Sequence, residues 1–162
     1  MNRFSRALFT GLLLATITGS AAFADNLQDG KAAFQKEQYA QALELLTPYA
    51  KQGNAEAAFL LGEMYGPRSW GQQGENRNGV EQDNKLAIYW WTEAAKMGHA
   101  EAQLKLGATL LRESTTLMES ELGIQWLHQA AQQGEALAQE LLQSLVLEVQ
   151  GRDEEARPAI EQ

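Results

Sequence analysis

Apolar residues recur along this chain at three- and four-residue spacing, and the runs end alike. Ala50-Lys-Gln-Gly-Asn-Ala-Glu-Ala57, Ala95-Lys-Met-Gly-His-Ala-Glu-Ala102 and Ala131-Gln-Gln-Gly-Glu-Ala-Leu-Ala138 align on Gly53, Gly98 and Gly134. The intervals are 45 and 36 residues, so the first unit carries about nine extra residues. Before each glycine the anchors match: Ala42-Leu43, Ala87-Ile88 and Gly123-Ile124, with Leu45, Trp90 and Trp126 three residues after Ala42, Ala87 and Gly123. After two of the glycines a second apolar segment follows, Phe59 to Tyr65 and Leu104 to Leu110. The period is helical, so each unit reads as helix, turn, helix, with Leu61, Tyr65, Ile88, Trp90, Leu106 and Ile124 in the apolar stripe. The repeating glycines suit the left-handed position just past a helix C-terminus, where a Cβ is penalised. Lys51 and Lys96 suit the negative end of the helix dipole. Small residues at Gly62, Gly107, Ala87 and Ala94 let two helices approach closely. One such pair cannot bury its own apolar face, and stacked pairs can.

The first 24 residues follow another pattern. Arg3 and Arg6 precede an apolar run from Ala7 to Thr18, and Ala22-Phe23-Ala24 supplies a small-x-small cleavage signal. The run is shorter than the ~20 apolar residues a spanning helix needs, so 1–24 is expected to be a cleaved signal peptide. The product would start at Asp25 and insert in no membrane. It would be periplasmic in a Gram-negative cell. The chain has 13 Lys plus Arg, 21 Asp plus Glu and no Cys, a formal net charge of −8. Such acidity disfavours nucleic acid, whose phosphates are bound by Lys and Arg. The absence of Cys excludes disulfides, thiolate catalysis and thiolate zinc sites.

The segment Gly79-Val-Glu-Gln-Asp-Asn-Lys-Leu-Ala-Ile-Tyr-Trp-Trp-Thr-Glu-Ala-Ala-Lys-Met-Gly98 resembles the Sel-one-like repeat, a relative of the tetratricopeptide repeat. Ala55, Ala57, Leu61, Gly62, Tyr65, Gly79, Val80, Asp83, Lys85, Trp90, Ala94, Ala95 and Gly98 match its pattern. The next unit, 100–134, keeps Ala100, Ala102, Leu106, Gly107, Trp126, Ala130, Ala131 and Gly134 but lacks the Gly-Val-x-x-Asp turn. Residues 27–53 resemble a looser tetratricopeptide-like unit, and 136–150 a closing helix. The resemblance implies an all-α, right-handed α-solenoid over 25–150, with a concave face lined by the first helix of each pair. It also implies an interaction scaffold rather than an enzyme. The charged segment 151–162 is expected to be a disordered tail.

Mapped onto that pattern, Glu56, Phe59 and Glu63 fall on the concave face of one unit and Glu101, Leu104 and Lys105 on the next. Phe59 and Leu104 would grip a partner, with the acids selecting a basic one, or a short solenoid would bury them. An inserted loop, 66–78, interrupts the repeat: Gly66, Pro67, Gly71 and Gly74 forbid a helix, and Arg68 and Arg77 flank Trp70. Trp and Arg are frequent interface anchors, so this loop is a second candidate contact. The expected partner is another protein. The last helix, with Leu141, Leu142, Leu145 and Val146, either seals the stack or pairs with a second copy. The alternative to a scaffold is a cell-wall glycan or peptide binder or enzyme, with Trp70, Tyr89 and Trp91 stacking on sugar rings. No S-x-x-K, G-x-S-x-G, H-E-x-x-H or P-loop motif occurs. His99 reads as a turn residue and His128 as a structural one. Glu119 and Glu121, two apart on a helix, do not face each other. No metal or cofactor is expected.

Overall fold

The computed structural model describes residues 17–67 and 76–160. Among them are seven helices: α1 (Ile17–Gln35), α2 (Tyr39–Lys51), α3 (Ala55–Tyr65), α4 (Asn84–Lys96), α5 (Ala100–Glu113), α6 (Leu117–Gln132) and α7 (Ala136–Ile160). Between α3 and α4 two short strands, β1 (Asn76–Arg77) and β2 (Val80–Glu81), form an antiparallel hairpin. The helices pack in sequence order, most closely as the pairs α1/α2, α3/α4 and α5/α6, with α7 against α6. α1 begins upstream of the expected cleavage point and runs through it. The backbone of α7 is helical across 151–160 as well.

The turn between pairs is the same structure three times. Gly53, Gly98 and Gly134 have φ of 88°, 86° and 96°. Each glycine N–H returns to the carbonyl three residues back, and the next N–H to the carbonyl five back: Asn54 to Tyr49, His99 to Ala94 and Glu135 to Ala130. This double closure satisfies carbonyls that the helix end would otherwise leave without a donor. The residue after the glycine then opens the next helix. Asn54 Oδ1 accepts from the Ala57 N–H at 2.9 Å, and His99 Nδ1 accepts from the Ala102 N–H at 3.3 Å. One residue thus closes a helix and caps its successor, which keeps the connection short.

The pairs are held by close approach at small residues. A Cβ on Gly62 would lie 2.3 Å from Trp91 Cδ1, and one on Gly107 would lie 2.8 Å from the backbone oxygen of Gly123. The deepest core position falls four residues after Ala42, Ala87 and Gly123, where Leu46, Trp91 and Leu127 are buried. This corrects the register read from sequence: at the position three residues after, Trp90 is buried but Leu45 and Trp126 are half-exposed.

A glutamine recurs at the seam between pairs. Gln103 Nε2 donates to the Ala95 carbonyl at 3.1 Å, and Gln139 Nε2 to the Ala131 carbonyl at 3.2 Å. Both glutamines lie five residues after a turn glycine and reach a carbonyl three before it. Gln103, buried, also accepts from Gln133 Nε2 at 2.7 Å.

The end of the insert enters the hairpin, whose first strand is Asn76–Arg77. Asn78 and Gly79 have φ of 44° and 94°, the two positive values that a tight antiparallel turn needs to match strand twist. Asn78 Nδ2 donates to the Glu37 carbonyl at 2.8 Å, tying the turn to the start of α2. Asp83 then caps α4, its Oδ1 accepting from the N–H groups of Lys85 and Leu86.

Candidate functional site

The first helices of the pairs, α1, α3 and α5, are linked by charged side chains. Lys31 Nζ lies 3.5 Å from Glu56 Oε1, and His99 Nε2 lies 3.7 Å from Glu56 Oε2. Lys105 Nζ meets Glu63 Oε2 at 3.2 Å. Because His99 Nδ1 accepts the cap hydrogen bond, a neutral ring carries its proton on Nε2, facing Glu56. The imidazole stacks on Phe59 with ring centroids 4.4 Å apart and planes at 20°.

Negative charge is in excess here. The carboxyl of Glu101 is held above its ordinary range by burial first, then by the charges of Glu63 and Glu135, with Lys105 and His99 pulling the other way. Residues from α3, α5 and the turn before α7 therefore share one acidic field.

Glu56, Glu63, Glu101 and Lys105 lie on this surface. It places Phe59 and Leu104 beneath it, each only 7% exposed. Neighbouring pairs cover them, as His99 covers Phe59. A partner would meet charges before it met apolar anchors. Arg68 and Trp70 lie outside the described residues, and Arg77 sits in β1. The sugar-stacking arrangement is corrected at Trp91, which is 4% exposed and wedged against Gly62 and Gly66, its indole N–H enclosed with no acceptor among the described residues. Tyr89 is 52% exposed and meets Trp90 edge-on at 4.9 Å.

Sequence reasoning missed Lys31, the capping and stacking roles of His99, and Gln103. The repeat alignment carried a signal for two of them: His99 aligns with Asn54, a preferred cap residue, and Gln103 with Gln139. Among the described residues no group of three His, Asp or Glu is arranged to hold a metal ion, and no helix is long and apolar enough to cross a membrane.

Stacked helix pairs joined by identical glycine turns define a helical-repeat scaffold. The Sel1 repeat model matches residues 55–99 and 100–135, and the chain belongs to the Sel1 repeat family. The first match takes in α3, the hairpin and α4, and the second α5 and α6. Comparison with curated proteins gives no match. Two solved structures are similar. One is a Sel1 repeat protein from Oxalobacter formigenes, with TM-score 0.62 and 26% identity, over 75% of this chain and 46% of that one. The other is a protective antigen of uropathogenic Escherichia coli displaying an SLR fold, with TM-score 0.66 and 26% identity, over 83% of this chain and 28% of that one. This chain thus spans under half the length of either.

Proposed function

We propose that this chain is an exported, non-catalytic scaffold of the cell envelope that holds another protein against the face made by α1, α3 and α5. The observation that carries the reading is the acidic field of that face, where Glu63, Glu101 and Glu135 outweigh Lys105 locally. A basic segment of a partner would relieve it. With Phe59 and Leu104 covered, contact is mainly electrostatic, which favours fast encounter and salt-sensitive affinity. The Sel1 repeat assignment supports a binding role, since repeat stacks offer extended surfaces. The leader read in 1–24 supports export, and amino-terminal sequencing of protein from the envelope fraction should begin at Asp25.

The test is a cross-linked pull-down from that fraction with wild type and a Glu63→Lys, Glu101→Lys double variant. The expected result is a basic protein recovered by wild type, released by salt and lost by the variant. Recovery of no protein by either form, or equal recovery by both, would overturn the reading.

A further inference from the structure

We propose a second docking surface, on the α2/α4 side, that takes a partner segment carrying an apolar side chain next to a Lys or Arg. A cleft of about 530 Å³ opens between α2, the hairpin and the start of α4. Its walls are Leu43, Tyr65, Val80 and Leu86, and its rim carries Glu81 and Asp83. The volume lies within the ~300–1,000 Å³ of ordinary binding pockets. The hairpin borders this cleft: its first strand belongs to the insert, and Val80, Glu81 and Asp83 follow in the repeat's own turn.

Three features fix the chemistry of the occupant. First, Leu86 is 40% exposed, and Tyr89, one helical turn along the same face, continues the apolar surface out of the cleft. A surface that runs on along a helix suits a polypeptide, with one side chain in the slot and its neighbours outside. Second, the two rim carboxylates make no ion pair with any described cation. Burial first, and then the charge of Asp83, hold the Tyr65 phenol above its ordinary ionisation range, so the carboxylate's field reaches the cleft wall. A Lys or Arg complements it, and its aliphatic stem can lie along Leu43 and Leu86. Third, Tyr65 stays a neutral phenol there, able to donate to or accept from a peptide group.

The inference stands apart from the α1/α3/α5 face, and the test separates the two. Random twelve-residue peptides displayed on phage are selected on the full chain, and the enriched sequences are synthesised for fluorescence titration. The expected peptides pair an aliphatic or aromatic residue with a neighbouring Lys or Arg. Leu86→Ser or Glu81→Lys should weaken them about tenfold or more, as loss of an interface anchor does. Glu101→Gln should leave them unchanged. Both cleft residues are exposed, so the variants should fold, and a circular dichroism melt checks this. No enrichment, acidic consensus peptides, or binding lost through Glu101→Gln and kept by Leu86→Ser would each overturn the proposal.

Discussion

At the scale of single residues, glycine does two unrelated jobs in this chain, and they separate experimentally. Gly98 has φ 86° and nothing within 4 Å of where a Cβ would sit, so Gly98→Ala meets only the backbone penalty, about 1–2 kcal/mol. Gly62 is helical, and its Cβ would strike Trp91 at 2.3 Å. Gly62→Ala must displace an indole fixed in the core, and overpacking of that kind costs about 1–3 kcal/mol. Denaturant melts should show both losses. A second substitution, Trp91→Leu, should recover part of the loss in Gly62→Ala and none in Gly98→Ala, because only the first is steric. Both glycine roles were legible from the repeats. The depth of Trp91 was not, although it aligns with Leu127, because the repeat pattern marks its neighbour Trp90 and sequence alone does not show that both are buried. The capping by His99 was hidden because histidine is not among the favoured cap residues.

At the scale of elements, the seams matter more than the helices. Gln103 reaches across from α5 to the last turn of α4 and accepts from Gln133 at the end of α6. Gln103→Leu keeps the bulk and removes the acceptor of Gln133, which is exposed and can turn to water, while the Ala95 carbonyl keeps its turn donor, the Gly98 N–H. The expected cost is about 0.5–1.5 kcal/mol, read from urea melts. Gln139→Leu, the exposed counterpart at the next seam, should cost less. The start of α5 carries a titratable contribution of known sign. The folded-state ionisation of Glu101 is raised by burial, Glu63 and Glu135, so its charged form opposes folding, and that penalty lifts as pH falls through the raised value. Glu101→Gln should therefore stabilise the protein near neutral pH, by under about 1 kcal/mol for a screened, largely exposed site. The gain should vanish on acidification below the ordinary carboxylate range. At α6 the sign is opposite. Glu119, bonded to Thr115 and Thr116, is held below its ordinary range, so its capping contribution is present near neutral pH and fades as pH falls through the lowered value. Thermal melts of wild type, Glu101→Gln and Glu119→Gln across pH 3–7 check both directions.

At the scale of the whole molecule, the stack was legible because its period is written in glycines and alanines, which have few other reasons to recur at one spacing. The interaction surface was less so. Repeat positions group Glu56, Glu63, Glu101 and Lys105, and ion pairs join α3 to α1 and α5 through Glu56 and Glu63, but burial of Phe59 and Leu104 depends on how far neighbouring pairs cover each other, which no single unit encodes. The same reasoning bears on the last helix. Ala138, Leu141 and Leu142 of α7 pack toward α6, whereas Gln139, Glu140, Gln143 and Ser144 are exposed. The exposed apolar residues Leu137, Val146 and Leu147 point in three directions around a helix with 3.6 residues per turn, so they form no single stripe for a second copy to bury. A polar outer helix is what closes a repeat stack in water. Light scattering across a concentration series should therefore give the monomer mass throughout, and Val146→Lys should leave it unchanged. A mass that doubles with concentration and returns to the monomer value in Val146→Lys would instead make α7 an interface, and the acidic face of α1, α3 and α5 would then have to be read in a paired molecule.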